Sequence, residues 1–371
     1  MVLPPLPDEQ GADPSTSADG PSLYRLVGAQ LARLIPLLGL QAVRPLLARS
    51  YELVCRESLA FEPGHGPLSP SRVNADGTPF QLSLALGASG ARLQFLCDTG
   101  APGRSTESRL ASDRARIRAL AQLFGAQRAL ASIESLVEQL APATNRALCT
   151  DDAGATWLGA AFSPRHPSRF KVYINAKWGE QTTRWARLAT FAGRLGVSDA
   201  WSALRRMVDG ELEPLGVALV VSSDARVAGR IYLSGYGKPF AYLEALAGTC
   251  GGTRFERQLR RYGQTLLRDD YRYPTRSVVC SLGIGERAPT DFKVELCGHC
   301  AFDSDVQALG RCAQWLRSVA VDAVVYEQVV ALLSAGAPSS SAATLHAYVG
   351  IGSGRGAPES TFYFNPAPAV G

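Results

Sequence analysis

Residues Phe170-Lys-Val-Tyr-Ile-Asn175 alternate between apolar and polar side chains, which is the pattern of a half-buried β-strand. A second strand-like run precedes them across a polar turn, so the two runs together predict a β-hairpin. The same arrangement recurs along the chain and predicts five hairpins in all, at residues 78–97, 156–175, 216–236, 277–297 and 343–365.

Helical patterns occupy the intervals between the hairpins. Apolar residues keep helical spacing over residues 21–56, 106–140, 182–208, 254–269 and 303–335, and Asp303 or Ser304 is suited to cap the last stretch. A two-stranded hairpin is not stable alone, so five hairpins should share one sheet. Ten antiparallel strands with helices outside can close into a barrel, which removes the exposed edges. We therefore expect an α+β fold, with one barrel domain over residues 21–371 and a disordered tail over residues 1–20.

Composition excludes several classes of protein. The chain has 371 residues, 46% hydrophobic and 19% charged, with a net charge of only +5, so it is not disordered as a whole. Its basic residues are spread out rather than clustered, which argues against a nucleic-acid partner. Residues 31–47 are apolar but interrupted by Arg and Pro, so we expect no membrane partner, and residues 1–20 lack the basic start of a signal peptide. The eight cysteines are scattered, as in a reduced cytoplasmic protein.

Charged and tyrosine residues recur two positions apart on the second strand of each hairpin. Lys171 precedes Tyr173 in this way, and the same spacing joins Arg230 to Tyr232, Lys293 to Glu295 and Thr361 to Tyr363. Side chains two apart on a strand face the same side. If that side is the barrel interior, the interior carries Arg92, Lys171, Arg230 and Lys293 beside Tyr173, Tyr232 and Tyr363. Tyr348, two residues after His346, is a further candidate for this face.

This mixture suits an enzyme that ionises an allylic diphosphate. Buried cations favour a highly charged anion, and tyrosine faces stabilise a carbocation and shelter it from water. Two other interpretations remain open. The pattern could be a solvent-facing strand surface, or the barrel could bind a hydrophobic or anionic ligand without catalysis, although a carrier of apolar ligands gains nothing from buried lysine and arginine.

Over residues 20–366, the sequence resembles the aromatic prenyltransferases of the dimethylallyltryptophan synthase type, which have the ABBA fold of helices around a ten-stranded antiparallel barrel. The resemblance is carried by the order and spacing of several segments: Asp76-Gly-Thr-Pro-Phe-Gln-Leu-Ser83, the Arg92 strand, Phe170-Lys-Val-Tyr-Ile-Asn175, Arg230-Ile-Tyr232, His346-Ala-Tyr348 and Thr361-Phe-Tyr-Phe-Asn-Pro366.

The resemblance implies roles for individual residues. Arg92, Lys171 and Arg230 would bind the prenyl diphosphate, with Lys293 within reach, and the tyrosine shield around the allyl cation would consist of Tyr173, Tyr232, Tyr348 and Tyr363. The co-substrate would be dimethylallyl diphosphate or a longer prenyl diphosphate, with no cofactor or metal required. An indole, a tryptophan derivative or another electron-rich aromatic would attack the cation in a Friedel–Crafts substitution, as part of secondary metabolism. We expect a monomer or a weak homodimer.

Two residues depart from the family pattern. Gln81 stands where indole-specific members carry a glutamate that accepts the indole N–H. The Gln81 carbonyl oxygen can accept the same hydrogen bond, but it carries no full negative charge. Glu295 stands where a shield tyrosine is expected. It could bind a cationic acceptor group, act as the base that removes the ring proton, or pair with Lys293. We take Gln81 and Glu295 as the candidate catalytic residues.

Other motifs point to different chemistry. Cys297-Gly-His-Cys300 matches the Cys-x-x-Cys of thiol oxidoreductases, and with Cys312 and His346 it could supply zinc ligands, although the spacing is not diagnostic. The glycine-rich stretch 350–356 lies between two predicted strands, so it predicts a hairpin turn rather than a phosphate loop. The paired acids at 151–152 and 269–270 lack the third acid of a metal-dependent diphosphate motif.

Overall fold

A computed structural model describes residues 22–62, 71, 73–74, 77–99, 106–140, 156–177, 180–208, 210–223, 226–272, 278–284, 289–335, 345–353 and 358–365. The predicted tail over residues 1–20 lies outside them. Ten antiparallel strands form a closed barrel, in which each strand pairs with its neighbours in the sequence and the last pairs with the first. The predicted α+β barrel is confirmed.

Nine of the ten strands fall within the five predicted hairpins, and the fifth strand begins three residues before the predicted start at residue 216. In chain order they are β1 (Phe80–Gly87), β2 (Gly90–Cys97), β3 (Thr156–Phe162), β4 (Arg169–Asn175), β5 (Glu213–Ser222), β6 (Val227–Ser234), β7 (Val278–Ile284), β8 (Pro289–Cys297), β9 (His346–Gly352) and β10 (Glu359–Phe364). The glycine-rich stretch 350–356 begins in β9 and leads towards β10, so it connects two strands, as predicted.

The described helices surround the barrel. They are α1 (Leu23–Leu37), α2 (Arg44–Cys55), α3 (Thr106–Leu123), α4 (Leu130–Leu140), α5 (Gln181–Arg194), α6 (Ser198–Val208), α7 (Phe240–Leu267), α8 (Gly298–Ala301), α9 (Asp305–Ser318) and α10 (Val324–Ser334). Ser304 caps α9 by accepting the backbone N–H of Gln307 at 3.2 Å. The prediction for residues 254–269 was wrong at its start, because α7 begins at Phe240 and bends at Gly252, where φ is +79°.

The main hydrophobic core lies between the helices and the outer face of the barrel. Alternate residues of every strand point outwards into it, and Phe80, Phe95, Phe162 and Phe170 are all fully buried there. A β-carbon on Gly229 would come within 2.3 Å of Leu195, so a residue without a side chain lets α5 pack directly on β6. Burial on this face accounts for the period-two apolar pattern in the sequence.

The inner face of the barrel alternates between strands with large side chains and strands with small ones. The even-numbered strands direct charged or polar residues and tyrosines inwards, whereas the odd-numbered strands offer mainly small residues such as Ala218 and Gly350, with Tyr348 of β9 as a large exception. A β-carbon on Gly350 would lie 2.9 Å from Glu295 and 3.1 Å from Lys293. Small residues on β5 and β9 therefore make room for the polar side chains of their neighbours.

The two ends of the barrel differ in construction. Every hairpin connection lies at one end, called here the hairpin end, and every connection through helices lies at the other, called the helix end. Within the described residues, no helix has the length and apolar character needed to cross a membrane.

Candidate active site

Four cations converge on a cavity near the hairpin end of the barrel. Arg92 comes from β2, Lys171 from β4, Arg230 from β6 and Lys293 from β8, and together with Glu295, Glu359, Tyr232 and Tyr363 they line one cavity. All four diphosphate-binding candidates from the sequence thus face one cavity. The strand face that carries the Lys-x-Tyr pattern lies on the inside of the barrel.

Lys171 is buried among other cations and its side chain contacts a neutral group. Its Nζ donates a hydrogen bond to the neutral Gln94 side chain at 2.6 Å. Burial, followed by the nearby cations Arg92, Arg169, Arg230 and Lys293, holds the pKa of Lys171 well below its usual range. An anion entering the cavity would therefore find a cation that has no carboxylate partner among the described residues.

The two arginines of the cavity already have acidic partners. Arg92 pairs with Glu359, and Arg230 pairs with Asp291 while donating to the Ser281 hydroxyl at 2.8 Å. Asp291 and Glu359 lie two residues nearer the hairpin end than Lys293 and Thr361 on the same strands. The mouth of the cavity at this end therefore carries both signs of charge, whereas the deeper part around Lys171 is cationic.

Lys293, Glu295 and Tyr363 form a closed triangle. The Lys293 Nζ lies 2.9 Å from a Glu295 carboxylate oxygen and donates to the Tyr363 hydroxyl at 2.6 Å, and that hydroxyl donates to Glu295. Burial alone would raise the pKa of Glu295, but Lys293, the Tyr363 hydroxyl and Arg230 outweigh it and lower that pKa. Glu295 is thus an ionised carboxylate on the inner face of the barrel.

Tyrosine rings lie next to the cations, on the side towards the helix end. Tyr173 and Tyr232, for example, follow Lys171 and Arg230 by two residues on their strands. The rings of Tyr173 and Tyr232 are 5.7 Å apart between centroids, and those of Tyr348 and Tyr363 are 6.2 Å apart at 84°. The Lys293 ammonium lies 4.8 Å from the centre of the Tyr363 ring, so the two layers touch. Burial raises the pKa of Tyr173 to about 12, which keeps its ring neutral. The four predicted shield tyrosines therefore come together as two contacting pairs.

Gln81 lies deeper still and has a defined orientation. Its side-chain nitrogen donates to the Asn74 side-chain oxygen at 3.0 Å. The Asn74 nitrogen is committed to the backbone oxygens of Thr78 and Phe80, at 3.2 and 2.6 Å, so only its oxygen can meet Gln81. Gln81 must therefore use an N–H towards Asn74, which leaves its carbonyl oxygen as the acceptor. Gln81 does not line the cation cavity, although Ser83 and Ala85 of the same strand face do.

His346 and Tyr348 do not share a face, contrary to the simple spacing rule. The pairing of β9 with β10 shifts by one residue, so Tyr348 pairs with Tyr363 while His346 pairs with Phe364. The shift is a β-bulge, which reverses the side on which the next residue lies. His346 is buried outside the barrel between Asp305 and Tyr326, each 2.8 Å from one of its ring nitrogens.

The four residues considered as possible zinc ligands, Cys297, Cys300, Cys312 and His346, do not come together. Among the described residues, the one group of three or more His, Cys or acidic ligands at metal-binding separation is Cys297, His299 and Cys300. Cys312 is instead buried against the Tyr326 hydroxyl. His299 was missed by sequence reasoning, although it stands inside the quoted tetrapeptide.

Thiol redox catalysis fits the geometry poorly. Burial, with the neighbouring Cys300, raises the pKa of Cys297 to about 12, whereas a reactive cysteine needs a lowered one. The helix that follows, α8, spans only four residues and offers a weak dipole.

The sequence also missed several polar residues of the cavity. Gln94, Asp291 and Glu359 take part in its hydrogen bonds and ion pairs. Gln94 and Asp291 each lie two residues from a predicted site residue on the same strand, and Glu359 lies four residues before Tyr363, so same-face spacing was the signal available. Among the tryptophans, Trp185, Trp201 and Trp315 belong to the helical core, and Trp157 pairs with Tyr173 across β3 and β4; Trp178 lies outside the described residues.

Comparisons with known proteins found likeness only at the level of structure. No family model matches the chain, and no curated protein matches it. Among solved structures, 5-dimethylallyltryptophan synthase from Streptomyces coelicolor superposes with a TM-score of 0.82 at 19% identity, over 95% of this chain and 99% of that one. 6-Dimethylallyltryptophan synthase from Micromonospora olivasterospora, in complex with DMASPP and Trp, gives 0.80 at 20% identity, over 94% and 98%.

A third similar structure is the prenyltransferase PriB in its ternary complex with L-tryptophan and dimethylallyl thiolodiphosphate. It gives a TM-score of 0.74 at 22% identity, over 92% of this chain and 95% of that one. At these identities, the likeness establishes that the chain has the fold of these prenyltransferase barrels.

Proposed function

We propose that the protein is an aromatic prenyltransferase that moves a dimethylallyl or longer prenyl group from its diphosphate to an electron-rich aromatic acceptor, without a catalytic metal. The observation that carries the proposal is the layering of the barrel interior, where a cationic cavity around Lys171 lies directly against two pairs of tyrosine rings. A carrier of apolar ligands would gain nothing from burying these cations.

In the first step, the carbon–oxygen bond of the prenyl diphosphate breaks and the diphosphate leaves with the electron pair. Lys171 would bind it as the unpaired cation, with Arg92, Arg230 and Lys293 adding charge-assisted hydrogen bonds. The charge that develops on the leaving group is the charge that such donors stabilise most. The prenyl chain would extend towards the tyrosines, whose faces stabilise the allyl cation and exclude water.

In the second step, a ring carbon of the acceptor attacks the allyl cation and forms the new carbon–carbon bond. Gln81 would accept an N–H or O–H of the acceptor through its carbonyl oxygen, which the Asn74 contact leaves available. The ring proton would then pass to Glu295, an ionised carboxylate at the level of the tyrosines. A carboxylate with a lowered pKa is a weak base, but a protonated arenium ring is a far stronger acid, so the transfer is downhill.

The named neighbours support an indole acceptor as the first candidate. The similar Micromonospora olivasterospora enzyme was solved in complex with DMASPP and Trp, and PriB with L-tryptophan and dimethylallyl thiolodiphosphate. Gln81 lacks the charge that would favour a free indole, so we place tryptophan derivatives and other electron-rich aromatics beside tryptophan. We infer a cytoplasmic enzyme of secondary metabolism that acts as a monomer or a weak homodimer.

The test is incubation of the full-length protein with dimethylallyl diphosphate, EDTA and a panel of indoles, phenols and aromatic amino acids, followed by mass spectrometry. We expect one acceptor to gain a single C5 prenyl unit, and we expect the Lys171→Met variant to form far less of it. Prenyl alcohol without an adduct would still support ionisation and would direct the search to other acceptors. An untouched diphosphate across several chain lengths would overturn the proposal in favour of a binding barrel.

A further inference from the structure

Two thiols and an imidazole meet where β8 ends at the helix end of the barrel. The metal-ligating atoms of Cys297, His299 and Cys300 all lie within 4.8 Å of one another. The Cys297 sulfur is 3.0 Å from Nδ1 of His299 and 3.7 Å from Nε2, so Nδ1 is the nitrogen that faces the thiols. This cluster takes no part in the chemistry proposed for the cation cavity.

The backbone holds the cluster in place independently of any ligand. Cys297 is the last residue of β8, where it pairs with Tyr348 of β9, and it begins the single turn of α8. A β-carbon on Gly298 would lie only 1.7 Å from the backbone oxygen of His346, so the turn is pressed against β9 and requires glycine. The backbone N–H of Phe302 closes the turn on the Gly298 oxygen at 2.9 Å. The three ligand residues are thus presented by a fixed turn.

Exposure makes the cluster accessible from solvent. Cys297 is buried, while His299 and Cys300 are exposed. An ion could therefore reach the cluster without entering the barrel. Two sulfurs and one nitrogen form a donor set that zinc-class ions prefer. Hard cations such as magnesium prefer oxygen donors.

We propose that Cys297 Sγ, His299 Nδ1 and Cys300 Sγ bind one zinc-class divalent ion at the rim of the barrel, with a fourth position open to solvent. Binding replaces the two thiol protons, which pass to the solvent, and involves no change of oxidation state. The ion would link Cys297, at the end of β8, to His299 and Cys300 in the turn of α8. The site is separate from the proposed prenyl transfer and does not depend on it.

Cobalt titration of the reduced, metal-free, full-length protein tests this site, because thiolate coordination gives Co²⁺ a charge-transfer absorption that oxygen ligands do not give. We expect the band to saturate at one equivalent and to disappear when Zn²⁺ is added. We expect Cys300→Ser and Cys297→Ser to abolish the band, and His299→Ala to weaken binding by about tenfold or more.

Cys250→Ser is the matched control, because this half-buried thiol lies outside the cluster and its loss should leave the titration unchanged. If the buried Cys297→Ser variant fails to fold, the exposed Cys300 and His299 variants still decide the question. The proposal is overturned if the reduced protein shows no thiolate band, or if Cys300→Ser binds cobalt as wild type does. These measurements use no prenyl substrate, so a failure of the proposed function would leave their result unaffected.

Discussion

Lys171 and Lys293 occupy equivalent places in the barrel but lie in opposite electrostatic surroundings. Each is an inward-facing residue in the middle of the second strand of a hairpin, and each is followed two positions later by another site residue. Lys171 donates to the neutral Gln94 amide and is surrounded by cations. Lys293 instead contacts the Glu295 carboxylate and the Tyr363 hydroxyl.

The difference assigns different tasks to two similar residues. The charge of Lys171 is unbalanced within the protein, so it is available to an anionic substrate and costs stability until one binds. The charge of Lys293 is largely balanced, and its main effect is to keep Glu295 ionised and in position. A buried cation that lacks an acid is therefore the better indicator of the diphosphate site than the number of cations.

The largest effect is expected from Lys171→Met. Removing one preorganised donor to a leaving group costs about 10²–10³-fold in turnover, so kcat/KM for prenyl transfer should fall by that order. The free energy of unfolding should rise at the same time, because the variant no longer buries a charge among like charges. Steady-state kinetics and urea denaturation measure the two effects.

The control for this variant is Lys238→Met at the helix end, where the lysine pairs with Glu211 outside the cation cavity. It should change neither quantity appreciably. A Lys171→Met enzyme with wild-type kcat/KM would remove the main support for the diphosphate site.

Lys293→Met should act on stability in the opposite direction. Breaking a buried ion pair by removing one partner costs about 3–5 kcal/mol, because Glu295 is left buried without its main counter-charge. Adding Glu295→Leu should recover part of that loss, and the double-mutant cycle in urea measures the coupling. A double variant that loses the sum of the two single-variant losses would show that the two residues do not depend on each other.

Gln81→Glu tests the hydrogen bond that we propose between this residue and the aromatic acceptor. A carboxylate would strengthen the hydrogen bond to an indole N–H, so turnover of free indoles should rise by about tenfold, equivalent to roughly 1.4 kcal/mol. The same change should lower the melting temperature, because the Asn74 oxygen now faces a negative charge and cannot turn away from it. Gln81→Leu, which accepts no bond, should reduce indole turnover, and an increase in that variant would contradict the assignment.

The pH dependence of stability should report the lowered pKa of Lys171, and Lys293, whose pKa burial also lowers despite Glu295, should contribute in the same direction. The folded protein releases the Lys171 proton at lower pH than the unfolded chain does, so the unfolded state binds more protons between the lowered pKa and 10.5. Stability should therefore rise with pH in that window, and Lys171→Met should flatten the rise. Urea denaturation at a series of pH values measures the slope, and an unchanged slope in the variant would show that Lys171 is not the group responsible.

The sequence was sufficient for the barrel because every strand buries one face, and that burial imposes an alternation that can be counted. The first half of α7 was not predicted, because Gly248, Gly251 and Gly252 interrupt its helical pattern. The outward position of His346 could not be predicted, because the β-bulge between it and Tyr348 changes which face a residue takes and has no signature in the sequence.

The electrostatic detail of the site lay beyond sequence reasoning for a different reason. Arg92 and Glu359 are 267 positions apart, and only closure of the barrel between β1 and β10 brings them together. The surroundings of Lys171 likewise depend on which strands face one another across the interior. Spacing along one strand identified the site residues, but it could not show which of their charges are balanced.

The smallest effect is expected from Tyr173→Phe. The variant keeps the ring face that would stabilise the allyl cation and loses only the hydroxyl, which accepts a 3.2 Å hydrogen bond from Gln94. Leaving that buried donor unsatisfied costs about 1 kcal/mol, so kcat/KM should fall less than tenfold. Tyr173→Leu removes the π-face as well and should lower kcat/KM further, with more prenyl alcohol formed as water reaches the cation. Because Gln94 also holds the Lys171 ammonium, a large loss in Tyr173→Phe would mean that the hydroxyl positions Lys171 through Gln94, and that the cation layer depends on the tyrosine layer beneath it.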